Sequence, residues 1–107
     1  MMQVVTTVDS DTAAQQLAQQ LVQQRLAACV QISGPITSVY RWHGAIESAT
    51  EWRVVAKTTA TAAEPLMQAI ARLHPYQVPQ IVAWPIPHVY APYAQWVADS
   101  VGDEGLP

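Results

Sequence analysis

Cysteine occurs once in this 107-residue chain, glycine four times and basic residues five times, and only 12% of the sequence is charged. Each shortage excludes something. Cys29 alone cannot close an intrachain disulfide, which fits a reducing compartment. Arg25, Arg41, Arg53, Lys57 and Arg72 are scattered through a chain of net charge −3, so no basic patch forms for nucleic acid or an anionic membrane surface. No apolar run reaches the length of a membrane span, and Met1-Met2-Gln3-Val4-Val5 lacks the basic start of a signal peptide. The expected location is the cytoplasm. The four glycines fall in no phosphate-loop spacing, so nucleotide binding has no local support.

Apolar residues make up half of the chain, which excludes intrinsic disorder, and the length fits one domain over residues 1–107. Neutral polar residues, 12 Gln, 8 Thr and 5 Ser, supply the solvated surface. No charge falls between Leu26 and Tyr40 or between Leu73 and Ala98, and the second stretch holds five of the eight aromatics. A domain this small buries only about 60–65% of its unfolded surface by itself. Part of its surface is therefore expected to be covered by another copy, which makes the chain a homo-oligomer.

Gln3 to Val8 is a β-branched run and reads as a first strand. Asp9-Ser10-Asp11 offers helix-capping oxygens, and Ala14, Leu17, Ala18, Leu21, Val22 and Leu26 then recur at helical spacing with glutamines between them. Ala28 to Ile32 reads as a strand bent at Ser33-Gly34-Pro35, where proline cannot donate to a ladder, and it resumes from Ile36 to Trp42. His43-Gly44 makes a tight turn into a long strand from Ala45 to Thr59. Thr61-Ala62-Ala63-Glu64 matches a capping box, with Pro65 expected in the first turn and a stripe of Leu66, Met67, Ile70 and Leu73 behind it. His74-Pro75 ends that helix. Gln80 to Trp84 is a fourth strand, and Ala91 to Val101 a last helix on Tyr93, Trp96, Val97 and Val101, with the tail after Gly102 expected to fray. The order is that of an α+β, ferredoxin-like βαββαβ antiparallel sheet with two helices on one face, plus a C-terminal helix.

Few residues point to chemistry on their own. Cys29 has apolar neighbours and reads as a small buried residue rather than a nucleophile. His43, His74 and His88 match no metal-finger spacing. Glu47 and Glu51 stand roughly 13 Å apart on one strand, too far for an acid–base pair, and read as edge-strand charges. The residues alone favour a binding or structural module over an enzyme.

The blocks Leu26-Ala27-Ala28-Cys29-Val30, Ser38-Val39-Tyr40-Arg41-Trp42-His43-Gly44-Ala45-Ile46-Glu47, Lys57-Thr58 and His74-Pro75-Tyr76-Gln77-Val78-Pro79-Gln80-Ile81, followed by Pro85-Ile86, Tyr93 and Trp96, resemble the CutA divalent-cation-tolerance family over nearly the whole chain. The resemblance implies a cytoplasmic homotrimer, not an enzyme, that takes part in the response to metal ions. Its long hairpin strands would pair between subunits and leave clefts at the interfaces, lined by Tyr40, Trp42, Glu47, Lys57, His74, Tyr76 and Trp96. It also implies copper, or another divalent cation, as a ligand, with His74 from several subunits as the nitrogen donor. Here the chain departs from the family pattern: Thr6 stands for a first-strand cysteine, Leu73 precedes the single His74, Gln77 and Gln80 replace glutamates, and Pro87-His88-Val89 replaces a glycine turn. An alternative from another class is a trimeric small-molecule sensor that binds an organic anion near Lys57 in the same inter-subunit clefts.

Overall fold

The computed structural model describes residues 1–102, so the fraying expected after Gly102 falls outside the described residues. The chain runs through β1 (Met2–Val8), α1 (Asp11–Gln23), β2 (Cys29–Trp42), β3 (Ala45–Thr58), α2 (Ala60–Leu73), β4 (Ile81–Pro85) and α3 (Ala91–Ser100). The four strands form one antiparallel sheet in the order β2-β3-β1-β4, which is the ferredoxin-like arrangement that the sequence signals implied. Alternate strand residues share a face. Val4 and Val8 of β1, Val54 and Ala56 of β3, and the half-buried Val30, Ile32, Ile81 and Ala83 meet Ala14, Leu17 and Leu21 of α1 and Leu66, Ala69 and Ile70 of α2. Leu21 and Leu66 are fully buried, and truncating either to Ala would cost about 2–5 kcal/mol. Helix α3 reaches the opposite face, where Tyr93 lies against Cys29. Cys29 is half-buried there rather than enclosed.

Helix α1 begins as expected, with Ser10 Oγ accepting the Ala13 amide at 3.0 Å. It ends earlier than the apolar stripe suggested. Arg25 adopts a φ of 58°, its N–H reaches the Val22 carbonyl at 3.0 Å, and the Leu26 N–H reaches that of Leu21 at 3.1 Å. These paired bonds close the helix as a Schellman motif, so Leu26 folds back onto the core as a post-helical residue and Val22 stays 43% exposed. The Arg25 side chain is used as well. Its guanidinium donates to the carbonyls of Gly102 and Asp99 at 3.0 Å each, tying the end of α1 to the end of α3.

Helix α2 starts two residues before the expected box. Thr59, not Thr61, supplies the cap, its Oγ1 accepting the Ala62 amide at 3.2 Å, while Glu64 instead accepts from the Gln68 amide one turn on. Pro65 consequently sits in the second turn, where its missing N–H deprives the Thr61 carbonyl of a helical partner. The helix ends at Leu73, and His74, with ψ at 138°, takes the extended conformation that a residue before proline prefers.

The sheet is uneven in length. β2 and β3 have 14 residues each, β1 has 7 and β4 only 5. β1 pairs with β3 only from Thr58 to Trp52, so the outer half of the hairpin, from Ile36 to Glu51, is a two-stranded ribbon without a third strand. That ribbon sets the 48 Å long axis of the molecule. Its tip is a two-residue turn with positive φ at both His43 and Gly44, as twisted hairpins require. Its root is the irregularity between Ser33 and Ile36, where Gly34 packs so closely on Trp52 that a Cβ would meet the indole at 2.5 Å. The expected bend is therefore a bulge inside one continuous strand.

The cap position can be checked by urea unfolding: Thr59→Ala should destabilise the protein by about 1 kcal/mol, and Thr61→Ala by a few tenths at most.

Candidate functional site

Where β1 stops, the hairpin continues, and the loop after α2 fills the step. Ser38, Tyr40 and Trp42 alternate along β2 and pair with Ala49, Glu47 and Ala45 of β3, so they share a face with Glu51. Gln77, Val78 and Gln80 approach from the segment before β4, and Thr7 closes the inner end. Together with Val39 and Tyr76 these residues line an open groove of about 640 Å³.

Its inner end is built on a hydrogen-bond chain. His74 is 8% exposed, and both of its ring nitrogens are engaged. Nδ1 accepts the Tyr76 backbone N–H at 3.1 Å, so the ring proton lies on Nε2, which donates to the Thr7 carbonyl at 2.8 Å beside the Thr6 hydroxyl at 3.1 Å. This clamp fixes the His74-Pro75-Tyr76 turn against the end of β1. Tyr76, packed edge-on to the His74 ring at 4.7 Å, then donates from its hydroxyl to Glu51 Oε2 at 2.7 Å. Glu51 is 7% exposed. Burial pushes its carboxyl up, but hydrogen bonds from Ser38, Tyr76 and Thr7 outweigh that and hold it below the ordinary carboxylate value. The Tyr76 hydroxyl moves the other way, pushed well above the ordinary phenol value by burial and by Glu51. The groove thus contains a buried, ionised carboxylate held by hydroxyl groups.

The expected site residues divide into two sets. Tyr40 and Trp42, both about two-fifths exposed, and Tyr76 line the groove. Glu47 lies opposite Tyr40 on β3 but outside the groove lining, and is exposed. Lys57 stands at the other end of β3 and donates to Gln31 Oε1 at 3.3 Å. Trp96 is on α3, stacked on Tyr93 at 5.6 Å. His74 sits behind the groove and offers no free nitrogen, since a metal could reach Nδ1 only by displacing the Tyr76 amide. Among the described residues no three His, Cys, Asp or Glu side chains gather as a metal site. The residues of one chain therefore do not fit a copper centre at His74.

A family model described as "CutA1 divalent ion tolerance protein" matches residues 2–100. The chain belongs to the CutA1 family. A divalent-cation tolerance protein CutA from Thermus thermophilus is 41% identical over 99 residues, covering 92% of this chain and 96% of that one. Human protein CutA is 36% identical over 100 residues, which cover 91% of this chain but 56% of the human protein. Among solved structures, a divalent cation tolerance protein from T. thermophilus superposes with a TM-score of 0.90, covering 95% of this chain and all of that one. CutA from Xylella fastidiosa gives 0.92 at 30% identity, covering 94% and 97%. The CutA1 fold is thus shared in full, and the family relates this chain to divalent-cation tolerance. No helix of the described residues is long and apolar enough to cross a membrane.

Thr7, Ser38, Val39, Glu51, Gln77, Val78 and Gln80 line the groove although none belongs to the expected cleft set. Glu51 was readable only as an edge charge because its isolation depends on where β1 ends. Seven strand residues paired back from Thr58 reach Trp52, which leaves Glu51 as the first position beyond the sheet.

The Tyr76–Glu51 bond predicts a pH signature. A carboxyl held below its unfolded value of about 4.3 adds stability that is fully present above that value and is lost as pH falls through the native one. Tyr76→Phe should lower stability near pH 7 by about 1.5–3 kcal/mol, the range for a hydrogen bond to a charged group. Its deficit relative to the parent should shrink towards pH 3. Urea unfolding across that range measures both.

Proposed function

We propose that this chain works as a cytoplasmic homotrimer in the tolerance of divalent cations, with the groove at the hairpin step as its ligand site at the subunit boundary. The observation that supports the trimer is the unpaired ribbon. An isolated two-stranded ribbon is marginal in water, and this one carries Val39 at 69%, Ile46 at 65% and Trp42 at 41% exposure. On the other edge of the sheet, β4 leaves Val82 and Trp84 exposed, at 40% and 44%. The β4 edge lies within the stretch from Leu73 to Ala98 that holds no charge, so it lacks the lysines and glutamates that usually protect a free edge, whereas the ribbon carries Arg41 and Glu47 near its tip. Pairing ribbon to edge around a three-fold axis would cover both and enclose the groove. Exposed apolar side chains gathered at both ends of the sheet order are of the kind that protein–protein contacts cover.

The metal connection is read at the level of response rather than of a resident ion. Copper at His74 would have to compete with the Tyr76 amide for Nδ1 and with the Thr7 carbonyl for the Nε2 proton. Nothing in this role requires bond-making chemistry, and the proposal is that of a binding protein.

Sedimentation equilibrium checks the assembly. The parent chain should run as a trimer, Val39→Arg and Trp84→Arg should shift it towards monomer, and Gln20→Arg, on the exposed face of α1, should not. In cells deprived of their own copy, the parent chain should restore growth on excess copper and Val39→Arg should not. A parent chain that is monomeric, or arginine variants that remain trimeric, would overturn the reading.

A further inference from the structure

The groove offers an unbalanced set of polar atoms. Among the described residues Glu51 is the one charged residue in its lining. Tyr76 donates its hydroxyl to that carboxylate at 2.7 Å, and Ser38 and Thr7 line the groove beside it. A hydroxyl has one proton and two acceptor sites, so with its proton spent on Glu51 the Tyr76 oxygen has only lone pairs left to offer, while Ser38 and Thr7 can accept as well as donate. A carboxylate has about four acceptor sites, and the Tyr76 hydroxyl fills one of them. The inner end therefore presents a full negative charge among neutral hydroxyls and the amides of Gln77 and Gln80, and among the described residues no cation lines the groove to balance it. The outer walls are of another kind: Tyr40 and Trp42 on one side and Val78 on the other. Aromatic faces carry negative potential and attract cations.

We propose that this groove binds an organic monocation, a primary ammonium or guanidinium group on a small apolar body. The charged head meets Glu51 and the oxygens of Ser38, Thr7 and Tyr76, and each of its N–H donors finds an acceptor. The body lies against Tyr40 and Trp42. An organic anion would face a buried carboxylate and no donor of opposite charge. A divalent ion prefers several carboxylate or carbonyl oxygens and gives up its water reluctantly, whereas a single carboxylate whose partners are hydroxyls offers it poor exchange. The volume of about 640 Å³ is within the range of small-molecule sites. The assignment rests on the groove being the ligand site proposed above, and gives that site a ligand class.

The test is isothermal titration of the full chain with benzylammonium, methylguanidinium, benzoate and magnesium chloride at one ionic strength, with sedimentation in the same buffer. Benzylammonium shares its ring with benzoate and carries the opposite charge. Binding of the two organic cations, without saturable heat from benzoate or magnesium, is the expected result. Glu51→Gln should weaken benzylammonium at least tenfold, and Trp42→Leu, which removes the aromatic face but keeps an apolar side chain at the subunit contact, several-fold, with sedimentation showing the same assembly as the parent. Saturable binding of benzoate or magnesium at least as tight as that of benzylammonium overturns the proposal. So does absence of heat with both organic cations, or unchanged affinity in Trp42→Leu. A trimer that binds neither cation removes this assignment and leaves the assembly standing, while a monomer that binds them does the reverse.

Discussion

The length mismatch between the hairpin and its neighbours governs the rest of this molecule. A seven-residue β1 can pair with only half of a 14-residue β3, so the sheet is four strands wide at one end and two at the other. The wide end has a helix-covered core of Val4, Val54, Leu21 and Leu66 and the usual sources of stability. The narrow end has no second layer. Its side chains can be stabilised only by hairpin pairing, by the short loop that crosses the step, or by another subunit. The bulge between Ser33 and Ile36 sits at the junction of the two regimes, where a locally stronger twist lets the ribbon depart from the sheet.

The step itself would be a weak point if its polar atoms were unsatisfied. Glu51, the first β3 residue beyond β1, is buried with no cation paired to it among the described residues, an arrangement that is costly unless hydrogen bonds replace the lost water. Tyr76 supplies one, and it is in place because the His74 ring clamps its backbone to β1. Helix termination, imidazole tautomer, phenol direction and carboxylate ionisation thus form one dependent series. Proline at position 75 contributes from the start, since it forces His74 out of helical geometry and thereby turns its ring towards Thr6 and Thr7.

Much of this was legible in the sequence, and the failures have physical causes. Element order came through because β-branched runs, capping residues and a His-Pro stop mark boundaries locally. The end of α1 did not, because the Schellman closure uses Arg25 in a conformation normally given to glycine, and Leu26 keeps the apolar spacing after the helix has ended. The cap of α2 was displaced by two residues because Thr59 and Thr61 carry the same chemistry, and only the tertiary end of β3 chooses between them. Tyr40, Trp42 and Tyr76 could be expected in the groove from their likeness to a family pattern. Glu51 could not, since its burial follows from the length of a strand 43 positions earlier.

His74 shows why residue type is a weak guide to a metal site. An imidazole is a ligand only through a lone pair that nothing else occupies. Here the backbone takes it, and the opposite nitrogen is committed to a carbonyl, so the histidine that sequence likeness marks out is a structural clamp within its own subunit. The substitutions around it agree with that role. Thr6 accepts or donates beside Nε2 where a cysteine would compete as a soft ligand, and Gln77 and Gln80 bring neutral amides to a groove that already has one unbalanced carboxylate. More carboxylates there would move the site towards hard cations. With amides in their place the negative charge stays single and localised at Glu51, and a monovalent, donor-rich partner is the electrostatic complement.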